Sequence, residues 1–245
     1  METYGLIGEK LGHSFSKKYF TEKFETEGIN AQYELFELPD ISHFPLLVAC
    51  NNFSGLNVTI PYKEKIIPFL DELDPVAKAV GAVNTIQFIR SQARTILKGY
   101  NTDVIGFTNS FASLLQPQHK NALILGTGGA SKAVAYALKT LNIDCRFVSR
   151  NPSDEIYSYR QLTKEIIGKY KVIINCSPVG TFPNIDVDPG IPYQYLSSGH
   201  LLYDLIYNPE KTLFCKLGEE HGATIKNGLD MLYGQAVAAW AIWNF

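Results

Sequence analysis

The sequence predicts an α/β fold in two parts, and three observations carry that prediction. Strand-like and helix-like segments alternate from end to end, the pattern of largely parallel sheets covered by helices. A glycine-rich turn at 126–131 joins an apolar strand to a helix that a further strand follows. The length, 245 residues, exceeds that of an average single domain.

In the first half, residue pattern predicts strands over Tyr4–Ile7, Tyr33–Leu38, Leu56–Ile60 and Val83–Ile89. Helices are expected over Ser16–Glu27, Ile41–Ala49 and Tyr62–Leu70. Thr95–Gly99 can pair with Val83–Ile89 across the polar Arg90–Arg94 link as a hairpin, which would make this sheet mixed. From Asp103 a helix is expected to reach about Leu115, with Val104, Phe107, Phe111, Leu114 and Leu115 at helical spacing. A polar stretch containing Pro117 then precedes the clearest βαβ unit: a strand at Ala122–Leu125, a helix at Lys132–Leu141 and a strand at Asp144–Ser149. Buried-type strands are expected at Val172–Asn175 and Leu201–Leu205, and an apolar helix at Met231–Trp243.

Composition narrows the function classes. Hydrophobic residues make up 46% and charged residues 19%, enough to bury a real core. Lys and Arg total 22 against 24 for Asp and Glu, so no basic excess exists to drive counterion release on nucleic acid or attraction to a membrane surface. Four cysteines are scattered without a CxxC pair, which speaks against a disulfide framework or a zinc site; no metal is expected. The N-terminus lacks a basic region ahead of an apolar stretch, and no apolar run is long enough to span a bilayer. A cytoplasmic location follows as the expectation.

Leu125-Gly126-Thr127-Gly128-Gly129-Ala130-Ser131 stands where a Rossmann-type phosphate loop is required. Gly126 permits the tight turn, Gly128 lets the backbone approach a pyrophosphate, and the following helix aims its free N–H groups at that charge. Ser131 occupies the third glycine position, so the motif is imperfect. The second strand of the unit ends in Val148-Ser149-Arg150-Asn151. An acid there would bond the free 2′-hydroxyl of NAD; Arg150 instead suits the 2′-phosphate of NADP, with no acid before Asp154.

Other polar clusters sit at strand ends. Asn57 and Thr59 lie two apart and are expected on one face of a strand. Lys63, just past Pro61, is expected near a helix start, where the dipole disfavours its charge. Gly81-Ala82-Val83-Asn84-Thr85, Asn101-Thr102-Asp103 and His13-Ser14-Phe15-Ser16 add further amides, hydroxyls and a carboxylate. Taken singly, Ser16 and Asp103 read as helix N-caps.

Taken together, these motifs resemble the shikimate dehydrogenase family. The resemblance runs from Gly12-His13-Ser14-Phe15-Ser16 to Gly228-Leu229-Asp230-Met231-Leu232-Tyr233-Gly234-Gln235-Ala236, through Asn57–Lys63, Gly81–Thr85, Asn101–Asp103, Gly126–Ser131, Asn175–Pro178 and Asp204–Pro209. It implies Lys63 and Asp103 as the catalytic pair. Ser14, Ser16, Thr59, Asn84, Tyr207 and Gln235 are implied as substrate ligands. Gly126, Thr127, Gly128, Gly129, Ala130, Arg150, Leu205 and Gly228 are implied on the cofactor side. It further implies a substrate-binding domain over 1–102 joined by the closing helix 230–245, an NADP-binding domain over 103–229, and a cleft between them. The implied activity is the NADPH-dependent reduction of 3-dehydroshikimate to shikimate by a monomer or homodimer whose partners are small molecules. Two departures stand out: Lys17 follows the second serine where the family usually has Pro, and Asp154 stands where a second arginine is usual. Rival readings are a sibling acting on quinate as well as shikimate and using NAD, and a catalytically silent ligand-binding module; the presence of Lys63 and Asp103 speaks against the latter.

Overall fold

A computed structural model describes residues 1–12 and 14–244. His13, part of the serine motif, lies outside the described residues. The chain divides into two compact units: Met1–Thr102 together with the C-terminal segment from Ala236, and Asp103–Gln235.

The first unit holds a mixed six-stranded sheet. Its strands are β1 (Glu2–Gly8), β2 (Ala31–Glu37), β3 (Phe53–Val58), β4 (Glu72–Leu73), β5 (Thr85–Arg90) and β6 (Thr95–Tyr100), in the order β2-β1-β3-β5-β6-β4. β1 runs parallel to β2 and β3, whereas β5 is antiparallel to β3 and forms the expected hairpin with β6. Helices α1 (Phe15–Glu27), α2 (Phe44–Cys50) and α3 (Pro75–Val80) accompany it. The N-cap of α1 is Ser14, whose Oγ accepts the Lys17 N–H, rather than Ser16. Gly28 ends that helix at φ +64°, a left-handed conformation that favours glycine. One apolar core faces α2 and α3 through Ile7, Phe53, Leu56, Ile66 and Ile86; another joins Tyr4, Phe20, Tyr33, Ala239 and Trp243.

The expected helix over Tyr62–Leu70 is absent. That stretch makes turns and a short 3-10 segment at Ile67–Phe69. Pro68 has no N–H to donate and disfavours the α conformation at Ile67, so a helix begun after Pro61 has too few residues to propagate. Consequently Lys63 occupies a turn, with no helix dipole acting on it. β3 also ends at Val58, so Thr59 lies just beyond the strand.

The second unit is a fully parallel six-stranded sheet of Rossmann type. β7 (Asn121–Leu125), β8 (Asp144–Val148), β9 (Ile156–Tyr157), β10 (Val172–Asn175), β11 (Leu201–Asp204) and β12 (Thr224–Lys226) take the order β12-β11-β10-β7-β8-β9. Helices α4 (Asp103–Phe111), α5 (Gly129–Thr140), α6 (Lys164–Lys169) and α7 (Leu213–Glu220) belong to this unit. α4 stops at Phe111, and Ala112–Leu114 tightens into a 3-10 turn. The closing helix α8 (Leu229–Trp243) is shared, its residues counting with the second unit up to Gln235 and with the first from Ala236. Strands buried on both faces make the core, with Leu123, Leu125, Ile173 and Leu202 fully enclosed. Among the described residues no helix is long and apolar enough to cross a membrane.

Candidate active site

In the first unit the implicated side chains gather at one edge of the sheet. Ser14 and Ser16 follow the carboxyl end of β1, Thr59 and Lys63 follow that of β3, and Asn84 immediately precedes the antiparallel β5. Backbone hydrogen bonds hold the edge together: the Thr59 N–H donates to the Ile7 carbonyl at 2.9 Å, and Val83 N–H to the Lys63 carbonyl at 2.7 Å. Asn84 is buried; its Oδ1 accepts the Thr102 N–H at 2.7 Å, and its Nδ2 donates to Thr102 Oγ1 at 2.9 Å. Asn57, expected beside Thr59, is buried instead. Its Nδ2 donates to the Asn84 carbonyl at 3.1 Å and its Oδ1 accepts the Tyr33 hydroxyl at 2.8 Å. Ser16 also hydrogen-bonds to Tyr33, whose pKa is raised chiefly by burial. A largely buried polar chain therefore links Ser16 to Asn84 through Tyr33 and Asn57, neither of which is among the implied substrate ligands. The residue pattern places Tyr33 only in the strand Tyr33–Leu38; its hydroxyl is the signal of a polar partner.

In the second unit every implicated position except Asp103, the first residue of α4, and Gln235 follows the carboxyl end of a parallel strand, the edge at which such sheets bind ligands. Gly126 takes φ +109°, a conformation L side chains rarely adopt, and its N–H donates to the Val148 carbonyl at 2.9 Å. Gly128 is the N-cap of α5 without any side-chain cap, and a Cβ there would meet nothing within 4 Å. The first-turn N–H groups of α5 thus face an open loop formed by Gly126, Thr127, Gly128, Gly129 and Ala130. That donor set fits a pyrophosphate. Ser131, at the third glycine position, is buried and its Oγ donates to the Gly128 carbonyl at 2.6 Å, bracing the loop.

Arg150 is exposed beyond β8, in a turn where Ser149 Oγ accepts the Asn151 N–H at 3.1 Å. Among the described residues no ion pair joins it to Asp154. Arg146 Nη1, rather than Arg150, donates to the neighbouring Glu155 carbonyl, at 3.2 Å. Arg150 lies near Tyr159, whose pKa is raised by burial against that positive charge. Gly228 packs its α-carbon so close to Leu205 that any Cβ would overlap the Leu205 carbonyl. Tyr207 is half-buried, and burial raises its phenol pKa. Asp103 is buried, and Gln235, also buried, donates from Nε2 to the Leu232 carbonyl of its own helix at 2.9 Å.

A family model described as the shikimate dehydrogenase substrate binding domain matches residues 6–86. The shikimate dehydrogenase (NADP(+)) of Carboxydothermus hydrogenoformans is 37% identical over 98% of this chain and 90% of its own. That of Methanosphaera stadtmanae is 35% identical over the same shares. The chain belongs to the shikimate dehydrogenase family.

Among solved structures, the chorismate mutase/shikimate 5-dehydrogenase fusion protein from Clostridium acetobutylicum superposes with a TM-score of 0.87 at 38% identity, over 100% of this chain and 91% of that one. In this family member the carboxyl edge of the Rossmann-type sheet also carries a polar cluster that sequence reasoning left unassigned. Asp204, Asn175 and Thr212 are all buried, and Asn175 and Thr212 both donate to the Asp204 carboxylate. Only an aspartate between the apolar runs Leu201–Tyr203 and Leu205–Ile206 hinted at it.

Proposed function

We propose that this chain is an NADP-dependent shikimate dehydrogenase that interconverts 3-dehydroshikimate and shikimate on the route to chorismate and the aromatic amino acids. One observation carries the reading: Lys63 and Asp103 both stand in their motifs in a chain related over nearly its whole length to shikimate dehydrogenases (NADP(+)). When bound, NADPH supplies the hydride that reduces the substrate carbonyl. Lys63 gives a proton to the reacting oxygen during reduction and takes one back during oxidation. Asp103 binds a neighbouring substrate hydroxyl as the second member of the catalytic pair. Ser14 and Ser16 bind the substrate carboxylate, and Thr59, Asn84, Tyr207 and Gln235 bind the rest of the ring. Gly126–Ala130, Leu205 and Gly228 would hold the cofactor, and the Arg150 guanidinium would supply the positive charge for its 2′-phosphate.

All four cysteines are free thiols, which supports work in a reducing cytoplasm. The partners are small molecules, and the enzyme acts as a monomer or homodimer. Absorbance of the reduced nicotinamide, followed with shikimate or quinate and with NADP or NAD, tests the reading. Turnover is expected with shikimate and NADP; preference for quinate and NAD would replace it with the sibling activity, and no turnover with any pair would leave a silent binding module.

A further inference from the structure

We propose that Asp204 is a positioning residue of this reaction: its buried carboxylate fixes the turn that presents Leu205 and Tyr207 at the active edge of the Rossmann-type sheet. The inference rests on the proposed reading that Leu205 serves the cofactor and Tyr207 the substrate.

Asp204 is the last residue of β11 and has no solvent exposure. Its Oδ1 accepts the Ile206 N–H and the Asn175 Nδ2–H, each at 3.0 Å, and its Oδ2 accepts the Thr212 hydroxyl at 2.6 Å. Three pieces of chain meet on one carboxylate: the end of β10, the turn leaving β11 and the cap of α7. The bond to Ile206 sets the direction in which the chain leaves the strand, because it locks the backbone two residues on. Other bonds hold the turn from its far side. Gly228 N–H donates to the Ile206 carbonyl at 3.0 Å, and Phe182 N–H donates to the Asn208 carbonyl at 3.1 Å. Asn175 extends the network, its Oδ1 accepting the Ser177 N–H at 3.0 Å and the Ser177 hydroxyl at 2.7 Å.

Asparagine cannot reproduce this arrangement. Its single carbonyl oxygen could accept from Ile206 and Asn175, but its amide would then face the Thr212 hydroxyl, which must turn its proton away. Aspartate is nonetheless an expensive choice for the fold. Among the described residues the ionisable groups that sense its charge are Cys176 beyond β10, Cys215 on α7 and Tyr193, each kept neutral by burial. Only hydrogen bonds therefore offset its desolvation, and burial raises its pKa from 3.8 to about 6. At neutral pH the ionised form lowers stability, as expected of a group retained for geometry at the site rather than for the fold.

Asp204→Asn is the test, with kcat, both KM values and the thermal midpoint measured on folded enzyme. The expected result is a midpoint at neutral pH equal to or above wild type, with shikimate turnover lowered about 10- to 100-fold through misplacement of the turn. The acid limb of the wild-type kcat profile near pH 6 should also disappear. A lowered midpoint with unchanged kcat would make Asp204 purely structural and overturn the inference. If Asp204→Asn does not fold, Thr212→Ser and Thr212→Val replace it. The serine variant is expected to keep wild-type kcat, and the valine variant to lose turnover and move the acid limb to higher pH; equal kcat in the two overturns the inference. A wild-type enzyme inactive on shikimate overturns the parent reading and this inference together, whereas an active wild type with an equally active Asp204→Asn overturns this inference alone.

Discussion

Lys63 sits among turns rather than on a helix, so the position of its ammonium depends on backbone ties such as the bond from Val83 N–H to its carbonyl. Lys63→Ala is expected to lower kcat by about 10²–10⁴, the usual contribution of a general acid–base group, with shikimate affinity nearly unchanged. Retention of most of the wild-type kcat would remove the assignment. The two serines separate into different roles. Ser14 caps α1, so Ser14→Ala should cost about 1 kcal/mol of stability in addition to weakening substrate binding. Ser16→Ala leaves the cap intact but removes the bond to Tyr33, and should raise the shikimate KM by the worth of one hydrogen bond to a charged group, about 1.5–3 kcal/mol. Loss of cofactor affinity in its place would put both serines in the wrong pocket. Arg150→Ala should raise the KM for NADPH by about 10- to 100-fold and leave NADH use unchanged. No ion pair to Asp154 competes for its guanidinium among the described residues; equal loss with both cofactors would reduce it to a loop residue.

At the scale of elements, α4 and α8 approach each other through glycine. A Cβ on Gly106 would overlap the Met231 carbonyl and come within 2.8 Å of the Gln235 N, both backbone atoms that cannot rotate aside. Gly106→Ala is therefore expected to destabilise the protein by about 1–3 kcal/mol through overpacking, and to raise the shikimate KM because Gln235 moves with its helix. A denaturation midpoint equal to wild type would show that the contact is slack. The short helices α3, α6 and α7 escaped the sequence pattern for a related reason. Six to eight residues hold too few turns for a visible period. Each is marked instead by its cap, Asp74, Thr163 or Thr212, whose side-chain oxygen accepts a first-turn N–H. Apolar spacing suggested a helix after Tyr62, yet Pro68 overrode it.

For the molecule as a whole, pH acts on stability through buried groups of opposite sign. His119 Nδ1 accepts the Gln116 N–H at 3.0 Å, and His200 Nδ1 accepts the Ser197 N–H at 3.0 Å. Protonating either ring nitrogen would set two donors face to face. Burial lowers both histidine pKa values below 6.5. Below pH 6.5 the unfolded chain therefore binds protons first, and stability falls as pH drops towards the lowered folded values. Asp204 works in the other direction: between 3.8 and about 6 the folded state binds the proton more tightly, so acidification adds stability. The thermal midpoint of Asp204→Asn should consequently fall more steeply than that of wild type as pH is lowered from 7 towards 5. Parallel curves for the two proteins would contradict the account.

The sequence alone determined what depends on local period and turn chemistry. Strand β10 and the start of α4 at Asp103 were legible to the residue; the glycine-rich loop and the β5–β6 hairpin were legible in kind, with β5 running over Thr85–Arg90 rather than Val83–Ile89. Each is set by alternation, by a backbone conformation few residues tolerate, or by a cap a few positions away. Tertiary structure decided everything that needs a distant partner. Asp204 meets Asn175 across 29 residues only because β10 and β11 lie side by side in register. Tyr33 meets Asn57 across 24 residues because β2 and β3 flank β1. Nothing in the local spacing of those residues distinguishes a buried, bonded polar group from one in water, since burial is conferred by strands that the sheet brings together from far along the chain.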